Sequence, residues 1–485
     1  MKRYDCIVIG SGGGGKITSP AARLGLRIAV IEKDKLGGTC LNRGCIPSKM
    51  LIHPADVADE IKGARKFDIR NDTNFTVNFE RLITRISKTV DADSASIENG
   101  YSRNPNIDYY HAKGEFISNK ILKVGHEELV ADKIFIAVGS RPHIPQIPGL
   151  KGTPFMTSTE ALRNTHLPKR LIILGAGYIA CELGHAYGAL GSEVHFFVRS
   201  QFLRKEDKDV QAEFTKVFSS KYHCHFGAFP SKVEYEAGVF KVSYKGKDGR
   251  EQKIAADGLL VATGVVPNTD TLKLENTDIK LTKDGFVKVD AHLGTNVKGV
   301  YAMGDCIGRY FYRHSVNFEG EYLFRTVVLE NSDEPIRYPP IPHAIFTNPQ
   351  VAGVGKTEQE LIEEGVDYVT GMSPYGKSGM GMALLSEHGF CKVLIERSTQ
   401  KILGAHIIGA EASNMIHVLI AFMSKSGTLD DLLNMIYIHP ALPEIVRNAA
   451  RKAKSALEEG RKSQDTSHKA QAFLCLVACA LVSFF

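Results

Sequence analysis

An α/β chain with two parallel βαβ units and a separate α+β domain at its carboxyl side is what this sequence predicts, on three observations. Two passages far apart run as apolar strand, glycine-rich turn, helix and second apolar strand. A stretch rich in proline, Pro339-Pro340-Ile341-Pro342, reads as a linker. Beyond it, from Val351 to about Lys454, strands and helices mix.

The first unit spans Cys6 to Glu32. Its apolar start meets Gly10-Ser11-Gly12-Gly13-Gly14-Gly15, a helical stretch follows, and Arg27-Ile28-Ala29-Val30-Ile31 reads as the second strand. Strand, crossover helix and parallel strand make a βαβ unit. Pro20 falls inside the expected helix and should kink or shorten it, because proline lacks a backbone N–H and crowds the preceding turn. The second unit spans Arg170 to Arg199, with Gly175-Ala176-Gly177-Tyr178-Ile179-Ala180 as its turn and Glu193 to Val198 as its second strand. Two such units are expected to be Rossmann-like dinucleotide-binding domains. Two shorter strands, Lys133 to Val138 before Gly139 and Gly258 to Ala262 before Thr263-Gly264, read as equivalent points of the two domains. In the carboxyl domain, Cys391 to Glu396 and Ile402 to Ile408 read as strands, and Ala412 to Lys425 and Glu444 onward as helices.

Composition bounds the function. At 485 residues, two to four packed units are expected. The chain is 43% hydrophobic and 24% charged, ordinary for a globular protein, and its net charge of +6 gives no evidence for nucleic acid. Nine cysteines, an odd count in a long chain, argue against a secreted disulfide framework and for a reducing, cytoplasmic setting. Met1-Lys2-Arg3 runs straight into a strand, so no targeting segment is expected at the amino end. The carboxyl end is different. After a polar stretch, an uncharged run from Ala470 to Phe485 reads either as a membrane-touching tail or as a packed or frayed terminal helix, being shorter than the roughly 17–25 residues of a spanning helix.

Chemistry enters with the glycine loops. Gly10, Gly12 and Gly15 match G-x-G-x-x-G, which lets backbone N–H groups approach a pyrophosphate at a helix amino terminus. Glu32 ends the second strand, where an acid accepts hydrogen bonds from ribose hydroxyls. Gly175, Gly177 and Ala180 form the G-x-G-x-x-A variant, but the following strand ends in Arg199, with Arg204 close behind. Guanidinium groups there suit a 2′-phosphate and point to NADP(H).

The decisive segment is Gly37-Gly38-Thr39-Cys40-Leu41-Asn42-Arg43-Gly44-Cys45-Ile46-Pro47-Ser48-Lys49. A disulfide needs Cα atoms within roughly 4.4–6.8 Å, which this spacing permits if the first helical turn is distorted at Gly44. A thiolate at a helix amino terminus is stabilised by the backbone dipole. Zinc is the rival reading, but no second Cys or His pair reads as a ligand pair, so no metal is expected. His439-Pro440-Ala441-Leu442-Pro443-Glu444 supplies the base that thiol–disulfide exchange needs, with Glu444 orienting His439.

On these motifs, over roughly residues 4 to 455, the chain resembles the pyridine nucleotide–disulfide oxidoreductases, among them dihydrolipoamide dehydrogenase, glutathione reductase, mycothione reductase and mercuric reductase. The resemblance implies FAD and NAD(P)H as cofactors and a homodimer. It implies that Cys45 faces the flavin, that Cys40 attacks substrate, and that Lys49 and Glu182 pair beside the flavin. Tyr178 would gate the nicotinamide pocket. Gly139-Ser140-Arg141 and Asp305 would close over FAD, with Thr39 and Gly114 also on the FAD side and Gly264 on the NAD(P) side. His439 and Glu444 would act on the partner subunit's cysteines. The implied boundaries are 1–150 and 271–338 for the FAD domain, 151–270 for the NAD(P) domain, 339–457 for the dimerisation domain and 458–485 for a polar linker and apolar tail. Cys45 to Lys49 has the dihydrolipoamide dehydrogenase form, and the leading expectation is that activity. Ile438 to Glu444, Arg313 to Glu319 and the two arginines resemble the mycothione reductase branch, which makes a low-molecular-weight disulfide reductase the alternative. A flavin-bearing redox-sensing or interaction subunit is the reading from another class.

Overall fold

Long apolar runs make the first strands, and their burial on both faces marks them as the inner strands of a covered parallel sheet. The computed structural model describes residues 1–70, 75–246 and 248–459. It divides into two units, Met1–Gln201 with Tyr222–Tyr338, and Phe202–Lys221 with the chain from Pro339 onward.

In the first unit, the chain runs β1 (Lys2–Ile9), α1 (Ser11–Arg23), β2 (Ile28–Glu32), α2 (Gly38–Arg43), α3 (Cys45–Gly63), α4 (Phe79–Ser102), β3 (Ile107–His111), β4 (Gly114–Ser118), β5 (Ile121–Val124), β6 (Glu127–Ile136) and β7 (Ser140–Pro142). There follow α5 (Ser158–Ala161), β8 (Arg170–Leu174), α6 (Tyr178–Leu190) and β9 (Glu193–Val198); α7 (Lys208–Lys221) belongs to the second unit. The first unit resumes with β10 (His223–Phe226), β11 (Pro230–Glu236), β12 (Val239–Lys245), β13 (Glu251–Ala256), β14 (Gly258–Val261), β15 (Val265–Pro267), β16 (Val300–Ala302) and α8 (Arg313–Leu323).

Strands β3, β2, β1 and β6 lie side by side in parallel. The far edge of β6 takes β5 antiparallel along its first half and β16 parallel along its last residues. A second parallel sheet, in the order β10-β9-β8-β14, repeats the arrangement, and β11, β12 and β13 form an antiparallel meander. The two glycine loops are built alike. Gly10 has φ 101°, and a Cβ there would lie 2.2 Å from the Ala137 carbonyl oxygen; Gly175 has φ 135° and would meet the Ala262 oxygen at 2.2 Å. Only glycine fits such a turn beside a neighbouring strand. The equivalence of the segments after β6 and β14 is thus a packing identity.

Helix α1 runs through Pro20 and ends at Arg23, where the N–H groups of Leu24 and Gly25 turn back to Ala21 and Ala22. Pro20 cannot donate the N–H that an unbroken helix would send to the Lys16 carbonyl, and the helix ends within one turn of it.

The second unit comprises α7, β17 (His343–Ile345), β18 (Gln350–Gly355), α9 (Glu358–Glu363), β19 (Tyr368–Pro374), α10 (Gly379–Ala383), β20 (Phe390–Glu396), β21 (Ile402–Gly409), α11 (Ala412–Met423), α12 (Leu429–Asn434) and a helix over 444–459. Its sheet is antiparallel, ordered β17-β18-β21-β20-β19. Val393, Ile395, Ala405 and Ile407 point into a core closed by Met415, Ile416 and Leu419 of α11. The opposite side holds a charge. The Lys392 side chain is 1% exposed and donates to Asp207 at 2.8 and 3.0 Å, Asp209 at 2.6 Å and Glu358 at 2.6 Å. Burial favours a neutral amine, but the three carboxylates outweigh it and hold the Lys392 pKa above its usual value. Among the described residues no helix is long and apolar enough to cross a membrane. The apolar run near the carboxyl terminus lies outside the described residues.

Candidate active site

The redox candidates sit where two helices meet end to end. Helix α2 carries Thr39 and Cys40 and stops at Arg43; α3 begins at Cys45. Gly44 makes the break, because a Cβ there would lie 2.9 Å from the Thr39 carbonyl oxygen. The Asn42 amide ties the turn down by donating to the carbonyls of Leu36 at 2.8 Å and Gly38 at 3.1 Å.

The two thiols are hydrogen-bonded to each other. Donation from Cys40 stabilises a Cys45 thiolate, and against the opposing cost of burial, with help from the Lys49 charge, the Cys45 pKa falls to about 7. The same contact, together with burial, raises the Cys40 pKa. One proton is thus shared unequally, and the anion resides at the first residue of a helix, where the dipole favours it. One turn on, Lys49 Nζ meets Glu182 Oε2 of α6 at 2.7 Å.

The first glycine loop faces this hairpin. A Cβ on Gly38 would come within 2.6 Å of the Gly12 Cα, so both backbones are bare where they approach. Gly12 and Gly15 lie in the first turns of α1. Glu32, at the end of β2, accepts from the Ser11 N–H at 3.0 Å and hydroxyl at 2.9 Å, and the Ser11 hydroxyl accepts from the Gly37 N–H at 3.0 Å. Carboxylate, helix amino terminus and bare glycine backbone form a cradle that fits a dinucleotide. Ser140 donates to Asp305 at 2.6 Å; burial raises the Asp305 pKa, and the Ser140 bond only partly offsets it.

Gly139 (φ 66°) and Gly264 (φ 114°) flank the β7–β15 pair, which brings the two equivalent turns together. Gly114 opens β4, where a Cβ would press on Ile31 at 3.1 Å, a packing reason for glycine. The Arg141 guanidinium grips Asp270 at 2.7 and 2.8 Å.

At the second loop, Gly177 caps α6, Ala180 is buried in its first turn, and Tyr178 is 40% exposed at its start. Tyr178 lies within electrostatic reach of Asp305, Glu182 and Cys45, so the second loop and the cysteine hairpin converge. Arg199 follows β9 and is exposed, whereas Arg204, also exposed, belongs to the second unit.

In the second unit, His439 Nδ1 faces both Glu444 carboxylate oxygens, at 3.1 and 3.0 Å. Arg447 donates to the same carboxylate at 2.7 Å. His439 first, then the Ala441 N–H and Arg447, outweigh the cost of burial and hold the Glu444 pKa down. The carboxylate is buried while the His439 side chain is 75% exposed. Nδ1 is therefore oriented and Nε2 is presented outward, the arrangement of a proton-transfer histidine.

Some participants were not singled out from sequence. Ser11 and Asn42 stand inside the quoted motifs, but nothing in a linear string says that their side chains hold neighbouring backbone. Glu319 accepts from the Gly304 N–H at 2.7 Å and from Tyr338, bracing the Asp305 turn.

Comparison with known proteins bears on this geometry. The family described as "Pyridine nucleotide-disulphide oxidoreductase" matches residues 4–320, and its dimerisation domain matches residues 341–450. Mycothione reductase of Mycobacterium tuberculosis is 35% identical over 463 residues, covering 93% of this chain and 99% of that protein. Dihydrolipoyl dehydrogenase of Bacillus subtilis is 33% identical over 458 residues, covering 93% and 96%. Among solved structures, the HOCl-induced flavoprotein disulfide reductase RclA from Escherichia coli is similar with a TM-score of 0.82 at 27% identity, covering 93% of this chain and 99% of that one.

Proposed function

The chain belongs to the pyridine nucleotide–disulfide oxidoreductase family, whose members contain FAD and use NAD(P)H, and from this we propose that it reduces a small disulfide with NADPH through Cys40 and Cys45. The observation that carries the proposal is the helix break at Gly44, which sets Cys45 at the first residue of α3 directly after the helix that carries Cys40, with the Lys49–Glu182 pair one helical turn away. FAD, when bound, carries the electron pair between nicotinamide and the Cys40–Cys45 disulfide. Gly10, Gly12, Gly15 and Glu32 are the residues proposed to hold it, with Asp305.

The protein's own steps are thiol chemistry. In the reduced pair, Cys40 gives its proton to His439 Nε2 as it attacks one sulfur of the substrate disulfide; that S–S bond breaks, and the departing sulfur takes the proton back from Nε2. The Cys45 thiolate then attacks Cys40, restoring the intramolecular disulfide and releasing the second substrate sulfur as a thiolate, which is protonated by solvent. As in the resemblance, His439 and Glu444 are assigned to the partner subunit's cysteines, with the dimerisation domain as the means.

Arg199 favours NADPH and the reductive direction. Replacing it with glutamate should lower the NADPH-to-NADH preference by about tenfold to a hundredfold, the range of a charge-assisted hydrogen bond. A second reading, dihydrolipoyl dehydrogenase activity with NAD⁺, is favoured by the form of the Cys45 to Lys49 segment. Steady-state assay separates the two. NADPH oxidation driven by a small disulfide at higher kcat/KM than NAD⁺ reduction by dihydrolipoamide supports the first reading; the reverse order overturns it.

A further inference from the structure

At the other end of the second sheet, four donor side chains rise from one face of two paired strands. β9 and β10 run in parallel with His223 opposite His195. Side chains alternate along a strand, so Glu193 and His195 of β9 and His223 and His225 of β10 share a face. The His195 ring stacks on His223 at 4.4 Å and on His225 at 5.5 Å. Glu193 Oε1 lies 2.8 Å from His195 Nε2 and 3.7 Å from His223 Nε2. One donor atom from each of Glu193, His195 and His223 falls within 4.8 Å of the others.

We propose that Glu193, His195 and His223 form a binding site for one divalent transition-metal ion of the zinc or copper type. Metal–ligand bonds of about 2.0–2.2 Å at tetrahedral angles place donors roughly 3–4 Å apart, so small side-chain movements close the set. Imidazole and carboxylate donors suit Zn²⁺ and Cu²⁺; Mg²⁺ and Ca²⁺ want oxygen donors. The chain supplies three ligands and leaves a solvent-facing position at His223, whose side chain is 62% exposed.

The surroundings hold the donors in the required state. Tyr244 donates to Gln252 Oε1 at 2.8 Å and can accept from His225 Nδ1 at 3.4 Å. His225 Nε2 lies 3.2 Å from His195 Nδ1, and His195 Nε2 lies 2.8 Å from Glu193 Oε1, so a metal ion bound there takes the place of the proton that Nε2 and the carboxylate share. Such a relay behind a ligating histidine is how metal sites fix tautomer and ring orientation. Arg170 holds the other oxygen, Glu193 Oε2, at 2.9 Å.

The location separates this site from the dinucleotide. Nucleotides bind at the carboxyl ends of parallel strands, whereas Glu193 and His223 are the first residues of β9 and β10. The sequence hides the site because a His-x-His pair, His223 and His225, meets its third and fourth partners only through strand register.

Calorimetric titration of the oxidised, chelator-stripped holoenzyme with Zn²⁺ tests the proposal. One Zn²⁺ per chain is expected, with no heat from Mg²⁺. His223→Ala should bind at least about tenfold more weakly while keeping its zinc-free NADPH turnover, and Glu193→Gln should be weakened likewise. Absence of zinc binding, or wild-type affinity in both variants, overturns the site.

Discussion

Lys49 and Lys392 are both lysines set against buried carboxylates, one in each unit, and their surroundings part company. Lys49 meets Glu182 at 2.7 Å with its side chain still 36% exposed. Lys392 is 1% exposed and is held by Asp207, Asp209 and Glu358. A half-open pair keeps its field available to neighbours, and Lys49 contributes to the lowered pKa of Cys45. A closed network spends its field on its own members, tying α7, α9 and β20 together. The difference teaches that similar ion pairs serve chemistry or cohesion according to what else can feel the charge.

The comparison breaks most sharply at the cysteines. Cys45→Ser should lower disulfide turnover by at least about a thousandfold, the scale for removing a covalent participant, while the denaturant midpoint stays near wild type. The histidine of the second unit comes next. His439→Ala should lower kcat by about 10²–10⁴, the usual worth of an acid–base group, with little change in stability.

Lys392→Met should do the reverse, costing about 3–5 kcal/mol by stranding buried carboxylates, read as a lower denaturant midpoint with kcat retained in the folded fraction. Acid sharpens this test. Burial raises the Asp207 and Glu358 pKa values, but Lys392 outweighs it and both end lowered. Their stabilisation is present above the ordinary carboxylate pKa of about 4 and is lost as pH falls through the lowered folded values. In Lys392→Met the carboxylates lose the charge that held them down, so acidification from neutrality should stabilise the variant while it weakens the wild type.

The smallest effect belongs to Lys49. Its replacement by Met should raise the Cys45 midpoint from about 7, by about one unit on the scale of a removed neighbouring charge. Because the folded pKa lies below that of a free thiol, the thiolate is present above the midpoint and lost as pH falls through it. Thiolate absorbance of the reduced protein against pH reads the shift directly.

These contrasts also explain what the sequence made legible. Cys40, Cys45, the glycine loops and the His439–Glu444 pair declare themselves because each works within a few residues, where spacing fixes geometry. The Lys49–Glu182 pair, 133 residues apart, was reached only through family resemblance. The Lys392 network escaped, since Asp207 and Asp209 join a strand lysine more than 180 residues on, and a lysine in a strand otherwise reads as solvent-facing. Arg141 carries a contact that its turn motif does not specify, the grip of its guanidinium on Asp270. Arg199 and Arg204, close in sequence, fall in different units, a division that four intervening positions could not reveal.

The central claim is that electrons from the nicotinamide reach the Cys40–Cys45 bond, and differential alkylation tests it most directly. The holoenzyme is treated anaerobically with or without NADPH, quenched with iodoacetamide, and the peptide containing both cysteines is weighed by mass spectrometry. The account predicts an unmodified, disulfide-bonded peptide before NADPH and alkylation at both Cys40 and Cys45 after it. A peptide whose alkylation is the same with and without NADPH would contradict it.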